Sequence, residues 1–223
     1  MTKRVSIDSM TLTTHTNILN MLDEHREVIL SEKLSFKEFK AFFKRAKVHH
    51  VSGCSGLWVV STQMGAFIPI KRRTIEDHSQ FYVEFNGLER SNLSLERKEA
   101  IRLLYEPLKH YALNKIDIAL DYTEKPYKIL KRLEDKRVNL LYYKNTRYFK
   151  SQSEGKKNGY FNLKYYDKAQ KEGLDSSLYR IEFSFNLPYI GKNITLETME
   201  QLYPKITQTI KRYTGVAVSI TPL

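Results

Sequence analysis

The chain has 223 residues, 41% of them hydrophobic, enough to close the core of one large domain or two small ones, and this excludes a disordered polypeptide. Lysine and arginine number 37 against 25 aspartate and glutamate, and the resulting charge of +12 is scattered along the chain, which points to a polyanionic partner: nucleic acid or an anionic membrane surface. No apolar run approaches the roughly 18 residues of a spanning helix and no signal-peptide pattern opens the chain, so no membrane role and a cytoplasmic location are expected.

In chain order, residues 4–13, RVSIDSMTLT, alternate apolar and polar and predict a strand. Helical patterns follow at 17–30 and at 35–47, the second opened by Ser35 with Glu38 completing a capping box. Adjacent histidines, His49 and His50, point to opposite faces of a strand and so make a poor metal pair. The single cysteine, Cys54, excludes an internal disulfide and a cysteine-based zinc site; it lies in SGCSG without an organising base and reads as a turn or strand-edge residue. Short strands are expected at 57–62 and 66–72, joined by a turn around Met64 and Gly65.

The chain then says the same thing twice. Residues 81–122 run strand, loop, helix opened by Ser94, strand; residues 179–220 repeat that order with Glu182 in the place of Glu84 and Thr195 in the place of Ser94. The offset stays near about 100 residues, which suggests duplication of one unit rather than a solenoid. Strands are also expected at 146–151 and 159–168, and TEKPYKILKRLEDKRVN offers a connecting helix. The expected fold is therefore α+β: one domain over residues 1–223 with internal pseudo-repeats at about 57–122 and 146–221. Its duplicated antiparallel sheet would carry helices on one face and leave the other open and polar.

Counting by twos assigns side chains to those faces. In 115–122, Ile116, Ile118, Leu120 and Tyr122 point inward and Asp117, Ala119 and Asp121 share the other face. Phe81, Val83 and Phe85 leave Tyr82, Glu84 and Asn86 opposite; Ile181, Phe183 and Phe185 leave Arg180, Glu182 and Ser184 there. In YFNLKYYDK, Phe161, Leu163 and Tyr165 belong to the core, while Tyr160, Asn162, Lys164, Tyr166 and Lys168 join the face of the acids.

Carboxylates on a face meant to meet phosphate repel it unless a cation bridges them, and oxygen donors suit Mg²⁺ or Mn²⁺; the bland alternative is that they are solvated or paired with Lys115, Arg180 and their neighbours. A phenol is a weak nucleophile because its ordinary pKa is about 10. A metal, a lysine or a carboxylate base can activate one for attack on a phosphodiester. Tyr166 is placed for that work, or for stacking on bases as an exposed strand tyrosine.

At this point the residues resemble a known family. RVSIDSMTL, FYVEFN, KIDIALDY, TRYFKSQ, LKYYDKAQKEG and LYRIEFSF follow, in order and spacing over about three quarters of the chain, the plasmid rolling-circle replication initiators of the replication-initiation-factor (Rep_trans) class. That class also includes relaxases of some integrative conjugative elements and replication proteins of some phages. The resemblance implies a metal-dependent enzyme that nicks and rejoins DNA at an origin. Tyr166 matches the family's nucleophilic tyrosine in Y-[ND]-K and Lys168 its lysine, a phosphate contact or proton partner. Glu84, Asp117, Asp121 and Glu182 match its acidic positions, with Asp117 and Glu182 the leading metal ligands, and Arg180 would grip the phosphate through a bidentate contact. The stretch before the tyrosine departs from the family's glycine- and arginine-bearing turn, reading FKSQSEGKKNG, and the chain ends at Leu223 without the C-terminal extension of longer plasmid initiators.

The expected function is a tyrosine DNA endonuclease and strand transferase that acts on locally single-stranded or hairpin origin DNA through a 5′-phosphotyrosyl intermediate and starts rolling-circle replication. Lys164, Lys71, Arg72, Arg73, Lys156 and Lys157 are the expected phosphate contacts. A host helicase and a second copy of the chain are the protein partners left open. The alternatives are a non-catalytic DNA-binding protein on the same sheet, a phosphoesterase that uses water, and a conjugative relaxase.

Overall fold

A computed structural model describes residues 3–14, 16, 18–23, 29–32, 54–61, 67–75, 78–86, 88, 95–135, 139–143, 145–150, 161–189 and 193–220. The chain forms two compact units: Met1–Asp8, Lys115–Asn193 and Thr198–Leu223 make the first, and Ser9–Asn114 with Ile194–Glu197 the second. Strand β1 (Lys3–Thr14) contributes its first half to one unit and its second half to the other.

The first unit is α+β. Its strands are the first half of β1, β6 (Leu113–Tyr122, from Lys115 on), β7 (Asn139–Tyr143), β8 (Thr146–Lys150), β9 (Phe161–Asp167) and β10 (Tyr179–Asn186). They lie in the order β1-β6-β10-β9-β8-β7, and every pairing from β6 outward is antiparallel. The register stacks like with like. Phe161 faces Phe185; Leu163, Phe183 and Ile118 form one row and Tyr165, Ile181 and Leu120 the next. These side chains are buried, and α3 (Tyr127–Asp135) and α5 (Tyr203–Thr214) turn Ile129, Leu130, Leu133, Ile206 and Ile210 inward as well. Tyr213 of α5 meets the Phe161 ring edge-on at 4.9 Å, and Phe161 lies 5.6 Å from Phe183, so the helix is keyed to the sheet by aromatic contact.

The second unit holds β2 (Ile29–Glu32), β3 (Cys54–Ser61), β4 (Phe67–Ile75), β5 (His78–Asn86) and the rest of β1, in the order β2-β3-β4-β5-β1, all antiparallel. Leu12, Val83 and Ile70 line up across three strands and are fully buried. The helices α1 (Ile18–Asp23) and α2 (Leu95–Leu108) belong here, α2 contributing buried Leu104 and Leu108.

Several expectations are corrected. Of the helical pattern at 17–30, Ile18–Asp23 is helix, and Ile29 and Leu30 enter β2 because pairing with Ser61 and Val60 of β3 overrides local helix preference. Cys54 opens β3 opposite Arg73, beside an irregularity in register between Cys54 and Gly56. Strand β7 starts at Asn139, the last residue of the stretch read as a connecting helix, and runs on through 140–143, where no element was expected. Thr195 bridges to Ala112 instead of opening a helix, and α5 starts at Tyr203 after a 3₁₀ turn, Met199–Leu202. Residues 216–220 have no regular structure where the repeat expects a closing strand. The helix at 35–47, the histidine pair and the turn at Met64 and Gly65 lie outside the described residues.

Candidate active site

The polar face of the first unit's sheet is built by the same register. Across β9, β10 and β6, Tyr166 sits opposite Arg180 and Arg180 opposite Asp121; in the next row come Lys164, Glu182 and Ala119, then Asn162, Ser184 and Asp117. Alternation puts these residues on one face, and antiparallel pairing brings neighbours to contact distance.

This face is polar but not open at its centre. Arg180 is 1% exposed, Glu182 2% and Tyr166 5%, and Asp117, Asp121 and Lys168 are buried with them. Burying charge is costly unless each group is paired. Arg180 Nε and Nη2 donate to Asp121 Oδ1 and Oδ2, both at 2.6 Å, and Nη1 donates to Asp8 Oδ1 at 3.0 Å. Lys168 Nζ lies 3.7 Å from Asp121 Oδ2. Glu182 Oε1 takes Lys164 Nζ at 2.5 Å, and its Oε2 accepts the Tyr166 hydroxyl at 3.2 Å. Lys115 Nζ donates to Asp117 Oδ2 at 2.8 Å.

The segment after Tyr166 folds back to cover it. Asp167 caps α4 (Lys168–Glu172) by accepting from the Gln170 N–H at 2.9 Å, and the N–H groups of Lys168 and Ala169 donate to Leu178 O at 2.7 and 3.0 Å. Gly173, in the left-handed region at φ 67°, ends the turn. The helix thereby sets Lys171 Nζ 4.4 Å from the Tyr166 ring centroid, with Lys164 Nζ at 5.9 Å.

Electrostatics follow from this packing. Burial, then the Glu182 carboxylate, push the Tyr166 phenol far above its ordinary range, while the Arg180 charge and hydrogen bond pull the other way. Burial works to lower Lys164, but the charge and hydrogen bond of Glu182, with Asp117 and Asp8, carry it above its ordinary value. Lys171 is lowered by burial first and then by Lys164.

The sequence-predicted residues distribute unevenly. Tyr166, Lys164, Lys168, Arg180, Asp117, Asp121 and Glu182 all lie in the first unit. Glu84 lies in the second, on β5 opposite Thr11. Arg72 is a half-buried residue of β4 in the second unit. Lys71 and Arg73 are placed there only by their backbone. Lys156 and Lys157 lie outside the described residues. Arg180 does not offer its bidentate edge to a phosphate, because Asp121 occupies it. Lys168 arrives from the first turn of α4 rather than from the strand.

Nor do the acids expected to hold Mg²⁺ or Mn²⁺ form a ligand set. Among the described residues no three Asp, Glu, His or Cys side chains gather as a metal centre. Asp121, Glu182 and Asp117 face basic partners. Asp8 and Lys171 are the members that sequence reasoning missed.

No family model matches the chain, and no curated protein does. One solved structure that matches is described as a rolling circle replication initiator protein from Geobacillus stearothermophilus, at 14% identity and a TM-score of 0.45, covering 95% of this chain and 86% of that one. Among the described residues no helix is long and apolar enough to cross a membrane.

Proposed function

We propose that the chain is a tyrosine-dependent DNA nicking and joining enzyme that initiates rolling-circle replication of a plasmid, phage or mobile element. The observation that carries this reading is the Tyr166 hydroxyl donating to Glu182 at 3.2 Å, with Arg180 in the facing position on β10. A carboxylate within hydrogen-bond reach is a competent general base for a phenol, and a fixed guanidinium favours the phenolate. In the nicking step the phenol proton passes to Glu182 and the phenol oxygen bonds to phosphorus. The bond from phosphorus to the 3′ oxygen breaks, and the leaving oxyanion takes a proton from solvent. The product is a 5′-phosphotyrosyl enzyme with a free 3′-OH; the reverse attack rejoins the strand, and a conjugative relaxase would use the same steps. Asp121 and Asp8 orient Arg180 by their hydrogen bonds. The charges of Asp8, Asp117, Asp121 and Glu182 are met within the cluster by Lys115, Lys164, Lys168 and Arg180.

The burial of Tyr166 favours a second reading, in which the phenol only completes a structural ion-pair network and the chain binds DNA without cutting it. A pool of hairpin oligonucleotides with randomised single-stranded loops separates the two. Wild type is expected to give a protein–DNA band that survives denaturant and Tyr166→Phe none. A band retained in Tyr166→Phe contradicts the assignment of the nucleophile, and no band in either protein supports the binding reading.

A further inference from the structure

The basic groups around Tyr166 differ in what they are committed to. Lys115, Lys164, Lys168 and Arg180 each face a carboxylate at 2.5–3.7 Å. Lys171 does not. Among the described residues its contact is the Tyr166 ring, 4.4 Å from Nζ to the centroid, and no carboxylate pairs with it. Its placement is nonetheless fixed, because the Asp167 cap, the two hydrogen bonds to Leu178 O and the bond from Leu174 N–H to Ala169 O at 2.9 Å hold the turn that carries it. Lys171 is exposed while the ring beneath it is buried.

We propose that Lys171 is the substrate-binding cation of this site: it takes a non-bridging oxygen of a single-strand phosphodiester in exchange for its contact with the Tyr166 ring. The inference rests on the nicking function proposed above for its substrate, but not for the contact itself. An ammonium over a phenol ring gains only a modest cation–π attraction, whereas a phosphate oxygen offers a charge-assisted hydrogen bond. Exchange of the ring for the anion is therefore favourable, and it costs no carboxylate its partner.

The test separates the contact from the chemistry. In a Tyr166→Phe background, where no adduct forms, binding of a fluorescent single-stranded oligothymidylate is followed over a series of salt concentrations. Lys171→Ala is expected to weaken binding about fivefold and to reduce the slope of log affinity on log salt by about 0.7, the value for one lost single-strand phosphate contact. Lys171→Arg should restore both, and Lys211→Ala, on α5 behind the apolar face, should change neither. Unchanged affinity and slope in Lys171→Ala, or an equal loss in Lys211→Ala, overturns the proposal. With Tyr166 present, Lys171→Ala should slow adduct formation at subsaturating oligonucleotide and Lys171→Arg rescue it. If wild type forms no adduct, the nicking reading fails while the salt slope still decides the contact.

Discussion

The two faces of the first unit's sheet are buried to similar depth by opposite means. On one, Phe161, Leu163, Phe183, Phe185, Ile118 and Ile181 are shielded by their own bulk and by helices; on the other, Arg180, Glu182, Asp121 and Tyr166 are shielded by pairing with each other. Both faces come from the same strands in the same register, offset by one residue. The difference is in what a lost atom leaves behind. Removing a methylene from the apolar face leaves a void whose walls can relax, whereas removing one partner from the polar face strands a buried charge.

The sharpest contrast is expected from Arg180→Met. It strips Asp121 of its bidentate partner and Asp8 of its ion pair, and should lower stability by about 3–5 kcal/mol in urea unfolding. Ile181→Leu, a change of shape at constant composition and similar burial depth on the apolar face, should cost only about 1–1.5 kcal/mol in the same assay. Equal losses for the two would break the comparison. Tyr166→Phe should cost about 1 kcal/mol or less, because it removes one hydrogen bond and leaves Glu182 still paired with Lys164, yet it should abolish adduct formation entirely.

The smallest effect is expected from pH. The phenols of Tyr122 and Tyr165 are pushed up, that of Tyr165 to about 12, burial being the first cause in both. A phenol whose folded pKa exceeds its unfolded value of about 10 favours the folded state below that pH and withdraws its contribution as pH rises through the folded value. Urea midpoints should therefore be flat near neutrality and fall between about pH 10 and 12, and Tyr165→Phe should soften the fall. An unchanged decline in Tyr165→Phe would show that this phenol is not linked to folding.

Much of the site was legible because a strand has period two. Once 115–122, 161–167 and 179–186 are read as strands, the common face of Asp117, Asp121, Arg180, Glu182, Lys164 and Tyr166 follows from parity alone. Which of them pair depends on register, and register is non-local. Asp8 was missed for a local reason: in β1 the buried positions run Ile7 and Ser9, then Met10 and Leu12, so the alternation changes phase beside it. Lys171 was missed because the period changes from strand to helix at Lys168. Glu84 came from parity on its own strand and from the resemblance, and it lies on β5 of the second unit. The burial of the polar face could not be read from parity, which gives a side chain's direction but not what lies above it.

The central claim is that one phenol oxygen becomes bonded to DNA. The most direct measurement is mass mapping of the covalent complex after nuclease and protease digestion. A nucleotide-bearing peptide is predicted, with the added mass on Tyr166. Its location on Tyr165 or any other residue, or a complex that releases unmodified protein on denaturation, would contradict the account.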